Sequence, residues 1–262
     1  MAPRKILSPA SHGDGQGQGM NLLELRGITK SFGGLTAVAD LDLTLSQGEI
    51  VGMIGPNGAG KTTVFNLITG SHFPDHGDIY FNAENTTRLR PYDLCLRGIG
   101  RTFQIVKPFA TKSVIRNVMV GAFCRVKTAH EAEEVAREVL DFAGLSPKKD
   151  VLAKSLTIAD RKRLELARAL ATRPKLLLLD EVMAGLTPKE TDDMISLVRK
   201  IRDQGITLFI IEHVMQAVMA LSERVALLHH GEKIMEGTPQ EVASDKRAIK
   251  AYLGEEYVIA RG

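Results

Sequence analysis

The chain has 262 residues, of which 44% are hydrophobic and 25% are charged, and its formal net charge is +3. These values are typical of a soluble globular protein, and the length allows one large domain or one core with an inserted subdomain. The small net charge gives no reason to expect nucleic acid as the main partner, and no apolar run approaches the ~20 residues that a membrane-spanning helix needs.

The predicted elements begin after an N-terminal tail. Residues 1–20 are rich in Gly, Ser, Gln and Pro and lack the apolar region of a signal peptide. We therefore expect a disordered tail, with Met20 as an alternative translation start. Residues 22–28 and 38–45 alternate apolar and polar side chains, which predicts two half-buried strands.

A glycine-rich turn follows the next predicted strand, residues 49–54. Segment 55–62 reads Gly-Pro-Asn-Gly-Ala-Gly-Lys-Thr and matches the pattern G-x-x-x-x-G-K-[ST]. Glycines allow successive backbone N–H groups to point at phosphate oxygens, and a predicted helix at 61–69 directs its positive end to the same point. Lys61 adds a charge near the β- and γ-phosphates, and Thr62 offers a hydroxyl to Mg²⁺. The predicted ATP-binding residues here are Gly55, Pro56, Asn57, Gly58, Ala59, Gly60, Lys61, Thr62 and Thr63.

Helical patterns dominate the middle of the chain. After a predicted strand at 78–81, residues 91–156 read as a mostly helical insert, with helices at 114–120 and 130–142. Gln104 lies where the sheet region gives way to this insert. Its amide is a candidate contact to Mg²⁺ or to water.

Two acidic residues follow an apolar predicted strand, residues 175–179. Its continuous apolar run is typical of a parallel strand that is buried on both faces. Because ligands bind at the carboxyl ends of parallel strands, we expect Asp180 and Glu181 to approach the phosphates. Asp180 is placed to hold Mg²⁺, and Glu181 is placed to take a proton from the attacking water.

A second apolar strand, residues 207–211, ends in Glu212 and His213. His213 is a candidate to hydrogen-bond the γ-phosphate or the attacking water.

A hairpin is predicted around Gly231. Helices are predicted at 158–171, 189–202 and 214–221. This alternation of strands and helices indicates a parallel sheet flanked by helices.

The order of these motifs resembles that of the ABC (ATP-binding cassette) ATPases over about residues 22–240. Within that family, segments 32–38, 55–70 and 100–104 are most similar to the branched-chain amino acid importer ATPases. The resemblance implies an α/β fold, with a P-loop ABC ATPase core (a RecA-like, mostly parallel sheet), an antiparallel β subdomain and an inserted helical subdomain. The implied domains are a tail at 1–20, the ABC ATPase domain at 21–245 with its helical subdomain at about 91–156, and a C-terminal helix and tail at 246–262.

The resemblance also implies roles for single residues. Phe32 would stack on adenine, and Gln104 would be the Q-loop residue. His213 would be the switch histidine, and Glu181 the catalytic base. Residues 184–187 would form the D-loop at the seam of a dimer.

The activity implied by the resemblance is ATP hydrolysis coupled to import of branched-chain or other small amino acids. The implied cofactors are ATP and Mg²⁺. The implied partners are membrane permease subunits, a second ABC ATPase subunit in a homo- or heterodimer and, indirectly, a binding protein outside the membrane. The chain would then be cytoplasmic and bound to the inner face of the plasma membrane through the permeases.

The signature motif departs from the family pattern. Residues 156–160 read Leu-Thr-Ile-Ala-Asp where the family has Leu-Ser-Gly-Gly-Gln. Thr157 keeps a hydroxyl for the γ-phosphate, whereas Ala159 adds a Cβ that matters if this position needs a positive φ. Thr157 and Asp160 form a possible capping box that would compete with phosphate for the helix N-terminus. Because the family sandwiches each nucleotide between two subunits, we hypothesise unequal sites in a heterodimer; the alternative is a tolerated variation with little effect.

Several other functions compete with ATP-driven import of amino acids. A GTPase would need a guanine-reading N-K-x-D sequence, which the chain lacks, and Glu181 argues against a module that holds ATP without hydrolysis. The open alternatives are an ABC ATPase for urea, amides or another small polar solute, and a soluble ABC ATPase without a transport role. The basic residues 161–163 are interpreted as a solvated helix face, and Cys95 and Cys124 as free thiols in a reducing cytoplasm.

Overall fold

The computed structural model describes residues 21–104 and 107–253. The tail expected at 1–20 and the C-terminal end beyond 253 lie outside these residues. The described chain divides into two compact units: the split unit, residues 21–91 and 207–253, and the central unit, residues 92–206. No helix in the described ranges is both long enough and apolar enough to cross a bilayer.

The elements follow the predicted order, with a few additions. The strands are β1 Asn21–Phe32, β2 Leu35–Ser46, β3 Ile50–Ile54, β4 His76–Phe81, β5 Glu84–Asn85, β6 Ile99–Arg101, β7 Leu176–Asp180, β8 Thr207–Ile211, β9 Arg224–His229 and β10 Glu232–Gly237. The α-helices are α1 Lys61–Ile68, α2 Pro91–Arg97, α3 Val114–Ala122, α4 Ala129–Phe142, α5 Ile158–Leu170, α6 Pro188–Asp203, α7 Met215–Leu221, α8 Pro239–Ser244 and α9 Lys246–Leu253.

An antiparallel sheet in the split unit has the strand order β2-β1-β4-β5. Its alternating apolar residues face one core; for example, Leu25 pairs with Leu43, and both are buried. Strands β1 and β2 extend beyond the predicted ranges to the polar residues near their shared turn. Asp75 supports this end of β1, since its carboxylate accepts hydrogen bonds from Lys30 Nζ and Ser31 N, both at 2.7 Å.

The split unit also contains parallel strands. β3 lies between β8 and β9 and is parallel to both, while β10 returns antiparallel to β9. All five residues of β3 and all five of β8 are buried, as expected of strands covered on both faces. Helix α1 packs on this core through Phe65, whose ring centroid lies 5.1 Å from that of Phe209. The predicted α/β fold with an antiparallel β subdomain is therefore confirmed.

The central unit combines a two-stranded parallel pair with helices α3 to α6. β6 pairs with β7, and Arg101 lies opposite Leu178. Helix α4 begins with a capping box between Thr128 and Glu131 and buries its predicted apolar face, which consists of Ala132, Val135, Val139 and Leu140. Strand β6 was not predicted, because three residues are too few to show a periodic pattern.

The contact between Phe65 and Phe209 gives a test of the core. Replacing Phe209, which is fully buried, by Ala removes the ring and leaves a cavity beneath α1. We expect the free energy of unfolding in urea to fall by about 3–5 kcal/mol. The matched control is Phe123→Ala, at a half-exposed ring, where the change should stay within about 0.5 kcal/mol. Equal losses in the two variants would contradict the packing described here.

Candidate active site

The predicted phosphate loop connects β3 to α1 in the split unit. Its three glycines adopt backbone conformations that side chains rarely adopt: φ is +152° at Gly55, +79° at Gly58 and +105° at Gly60. A Cβ on Gly60 would lie 2.2 Å from the carbonyl oxygen of Ala37, and one on Gly55 would lie 2.2 Å from that of Leu228. Both positions therefore require glycine, because neighbouring backbone leaves no space for a side chain.

Lys61 directs its charge into this loop. The side chain is 7% exposed, and its ammonium donates hydrogen bonds to the carbonyl oxygens of Gly55 at 2.7 Å and Pro56 at 3.0 Å. Helix α1 begins here with no acidic residue in its first turn, so its positive end remains uncompensated by a carboxylate of that turn. The neighbouring hairpin braces the loop, since Gly231 N donates to Ala59 O at 3.0 Å. Thr62, the predicted hydroxyl ligand, is exposed at the start of the helix.

The register of the parallel strands places His213 at the same edge as the loop. Met53 of β3 lies opposite Ile211 of β8. Gly55 and His213 each follow two residues later, so the loop and the predicted histidine leave the sheet at one edge. His213 is half-buried, and the preceding Glu212 is buried.

Phe32, the predicted adenine-stacking residue, ends β1 and is 44% exposed. The edge of its ring meets the imidazole of His72, with 5.3 Å between centroids. The ammonium of Lys30 lies 5.4 Å from the centroid of the same ring. These contacts hold the ring in place while part of its surface remains open to solvent.

In the central unit, Asp180 ends the buried strand β7 and is itself 2% exposed. Its Oδ2 accepts a hydrogen bond from the Arg101 guanidinium at 2.8 Å, and its backbone N–H donates to the Thr102 hydroxyl at 3.1 Å. Its other oxygen, Oδ1, is buried and has no hydrogen-bond partner among the described residues. Such an oxygen is suited to a cation or to a water bound to one.

Glu181 is oriented by three features. Its φ is +49°, an uncommon conformation for a residue with a side chain. Gln104 Nε2 donates to its Oε2 at 2.7 Å, and Lys162 Nζ donates to its backbone carbonyl at 2.8 Å. The interpretation of residues 161–163 as a solvated face is therefore wrong at Lys162, which is 7% exposed because it lies on the inner face of α5.

The variant signature motif forms the N-terminus of α5. Thr157 is the N-cap, and its hydroxyl accepts from Asp160 N at 3.2 Å and donates to Asp160 Oδ2 at 2.8 Å. Lys148 forms an ion pair with the same carboxylate oxygen. Although burial raises the pKa of Asp160, the hydrogen bonds from Lys148 and Thr157 outweigh it and lower this pKa below its ordinary value. Ala159 lies in the helix and has no positive φ, so its Cβ causes no strain.

The structure thus groups the predicted residues within each unit. In the split unit the loop and His213 share a sheet edge; in the central unit Gln104 contacts Glu181, next to Asp180. Sequence reasoning missed the roles of three cations: Arg101 pairs with Asp180, Lys162 donates to the backbone carbonyl of Glu181, and Lys148 pairs with Asp160. The position of Arg101, three residues before Gln104, could have indicated its role. Nothing in the neighbouring sequence indicates that Lys148 pairs with Asp160.

The available oxygen donors fit Mg²⁺. In the central unit they are a carboxylate at Asp180 and an amide oxygen at Gln104, and in the split unit a hydroxyl at Thr62; each is a hard ligand of the kind that this ion takes. The described residues contain no group of three or more His, Cys, Asp or Glu side chains that would form a complete protein cage. Mg²⁺ bound to one carboxylate together with substrate phosphates needs no such cage.

Comparison with known proteins gives consistent matches. The family described as "ABC transporter" matches residues 38–184, and the family described as "Branched-chain amino acid ATP-binding cassette transporter" matches residues 232–258. The high-affinity branched-chain amino acid transport ATP-binding protein BraF of Pseudomonas aeruginosa is 38% identical over 250 residues, covering 89% of this chain and 98% of that protein. LivG of Escherichia coli, with the same description, gives the same values. The lipopolysaccharide export system ATP-binding protein LptB of Escherichia coli is 35% identical over 239 residues, covering 91% and 99%.

The solved structures that match the chain are also ATP-binding cassettes. The ADP conformation of an ATP-binding cassette of an ABC transporter matches with a TM-score of 0.82 and 32% identity, covering 90% of this chain and 100% of that one. A dimeric ATP-binding cassette in a post-hydrolysis state, bound to ADP and Pi, matches with a TM-score of 0.75 and 25% identity, covering 83% and 98%.

The ion pair between Arg101 and Asp180 can be tested by a double-mutant cycle. Arg101→Ala leaves a buried carboxylate without this cation, so we expect the free energy of unfolding in urea to fall by about 3–5 kcal/mol. Adding Asp180→Asn removes the orphaned charge and should recover part of that loss. A loss below about 1 kcal/mol in Arg101→Ala, or strict additivity of the two changes, would show that the pair does not stabilise this end of β7.

Proposed function

Because the chain belongs to the ABC transporter family, we propose that it is the ATP-hydrolysing, nucleotide-binding subunit that powers a membrane importer. Membership confirms the resemblance that the order of the motifs indicated. The observation that carries the proposal is the phosphate loop. Gly55 and Gly60 occupy positions with no space for a side chain, and Lys61 contributes a buried positive charge.

We infer a role in binding Mg·ATP for each of the two groups of residues. The loop and Lys61 would bind the β- and γ-phosphates, and Phe32 would support the adenine. Asp180, Thr62 and Gln104 would hold Mg²⁺, which supplies positive charge to the phosphate oxygens. These assignments follow from chemical complementarity: the loop offers donors and charge to phosphate, and the central unit offers a carboxylate oxygen that lacks a partner among the described residues.

Glu181 is the proposed general base. It accepts the proton of the water that attacks the γ-phosphorus, while the bond from that phosphorus to the bridging oxygen breaks and ADP leaves. The hydrogen bond from Gln104 orients the carboxylate for this task. His213, at the edge where the loop begins, would hydrogen-bond the γ-phosphate or the attacking water.

The transported solute is inferred from the relatives. BraF and LivG are described as proteins of high-affinity branched-chain amino acid transport, and we propose branched-chain or other small amino acids for this chain. The match of residues 232–258 to the branched-chain amino acid family favours this over the export role of LptB. A peripheral position on the inner face of the plasma membrane, through permease subunits, follows from the same proposal.

The surface of the central unit supports docking of permease subunits. Six large apolar side chains are exposed among the described residues between positions 92 and 123. They are Tyr92, Leu96, Phe103, Phe109, Val120 and Phe123. Covering them with the cytoplasmic ends of membrane subunits would remove this area from water and join the ATPase to the transport path.

The signature motif supports a dimer with unequal sites. Thr157 donates its hydroxyl proton to Asp160, so this proton is committed within the chain instead of being directed at a partner's γ-phosphate. The carboxylate also repels a phosphate at the same helix end, although Lys148 partly neutralises it. We therefore propose a heterodimer in which this chain's own site is completed by a partner cassette with a different signature motif.

Glu181→Gln tests the hydrolytic role. The amide keeps the size of the side chain but does not accept the proton from water, so we expect ATP turnover to fall by about 10²–10⁴-fold while Mg·ATP binding is retained. Turnover is measured by phosphate release and binding by titration. The control, Glu134→Gln on the exposed face of α4, should leave both unchanged. Unchanged turnover in Glu181→Gln would remove this residue from the base role.

Changing the last two residues of the signature motif to those of the family tests the unequal sites. We expect the purified chain to hydrolyse ATP slowly alone, and the double variant Ala159→Gly, Asp160→Gln to do so at least about 10-fold faster, because a buried negative charge near the phosphate is removed. Asp150→Asn, an exposed change of the same charge, is the control. A fully active homodimer of the natural chain would overturn the heterodimer proposal.

A further inference from the structure

Two cysteines meet in the central unit, although nearly thirty residues separate them in sequence. Cys95 lies in α2 and Cys124 follows the end of α3. Both are free thiols, both are half-buried, and their side chains share a hydrogen bond. Two thiols in contact and partly open to solvent are accessible to a small oxidant.

Arg125 fixes this contact. Its guanidinium donates to the carbonyl oxygens of Cys95 and Leu96, both at 2.8 Å, and to that of Thr172 at 2.7 Å. The three hydrogen bonds tie the segment after α3 to the end of α2 and to the end of α5. The cation therefore lies next to the thiol pair and cannot easily move away from it.

The environment makes the two sulfurs unequal. The hydrogen bond from Cys124 and the charge of Arg125 outweigh the effect of burial and lower the pKa of Cys95 to about 6. The same hydrogen bond, with burial, raises the pKa of Cys124. These opposite directions favour Cys95 as the thiolate and Cys124 as the thiol that donates a hydrogen bond to it.

We propose that Cys95 and Cys124 are a redox modification site, which a peroxide converts into an intramolecular disulfide. The Cys95 thiolate attacks one peroxide oxygen, the O–O bond breaks, and the sulfenic acid and hydroxide form. The Cys124 sulfur then attacks the Cys95 sulfur, water leaves, and the S–S bond forms. In total, two thiols lose two electrons and two protons to one hydrogen peroxide, which yields two waters.

The position of the pair gives this modification a structural consequence. The chain between the two cysteines contains Arg101 and Gln104, which hold Asp180 and Glu181. A disulfide would close this segment into a covalent loop and restrict the rearrangements available to its two ends. The thiol chemistry is independent of the proposed transport function, so either proposal can fail without the other.

The first experiment uses the full chain, purified with a reductant and then freed of it at neutral pH. On treatment with hydrogen peroxide, we expect both thiols to disappear, the intact mass to fall by two hydrogen atoms, and a peptide linking Cys95 to Cys124 to appear. Dithiothreitol should reverse all three changes. Persistence of both thiols, or disulfides only between separate chains, would overturn the proposal.

Variants and a pH profile separate the roles of the two sulfurs. In Cys124→Ser, peroxide should leave a sulfenic acid at Cys95 that dimedone traps; in Cys95→Ser, Cys124 should stay reduced at the same dose. Alkylation of Cys95 by iodoacetamide in the natural chain should have its midpoint near pH 6, in place of about 8.5 for an ordinary thiol. Arg125→Gln should raise this midpoint. An ordinary midpoint at Cys95, or preferential oxidation of Cys124, would refute the proposal.

Discussion

The shared edge of parallel strands is the constraint on which the site depends. Neighbouring parallel strands end at the same edge of a sheet. The residues that follow two such strands therefore lie close together, even when they are distant in sequence. In the split unit this rule places the phosphate loop after β3 and His213 after β8. In the central unit it places Arg101, the last residue of β6, beside Asp180, the last residue of β7. Five-residue strands that are fully buried leave little freedom for the register to shift.

The elements that could be predicted are those with a local cause. The glycines of the loop and the apolar run of β7 are each visible in a few consecutive residues, and both were located correctly. Strand β6 and the cations around the acids depend on partners that are distant in sequence. Lys162 illustrates the difference, since three basic residues in a row suggest a solvated face. Helix α5 directs Lys162, the middle residue of the three, inward to the backbone carbonyl of Glu181. Only the tertiary structure determines which of the three basic residues faces inward.

The two acids at the end of β7 are held in different ways, and this difference suits two roles. Asp180 is buried and paired with Arg101, and its second carboxylate oxygen has no hydrogen-bond partner among the described residues. Glu181 is half-buried, and its carboxylate accepts a hydrogen bond from the Gln104 amide. The proposed roles of metal ligand and base are therefore supported by the different surroundings of the two acids as well as by their order in the motif.

The same segment carries the proposed redox site and two residues that support these acids. Helix α2 ends at Arg97, and β6 begins two residues later, so Cys95 lies close in sequence to Arg101 and Gln104. Gly98, with φ +109°, provides the sharp connection; an added Cβ would come within 3.1–3.4 Å of Lys175. A short link of this kind transmits displacement better than a long loop would, because few dihedral angles are available to absorb it. If oxidation moves α2, we expect this connection to pass the movement to Arg101, whose guanidinium holds the buried carboxylate of Asp180.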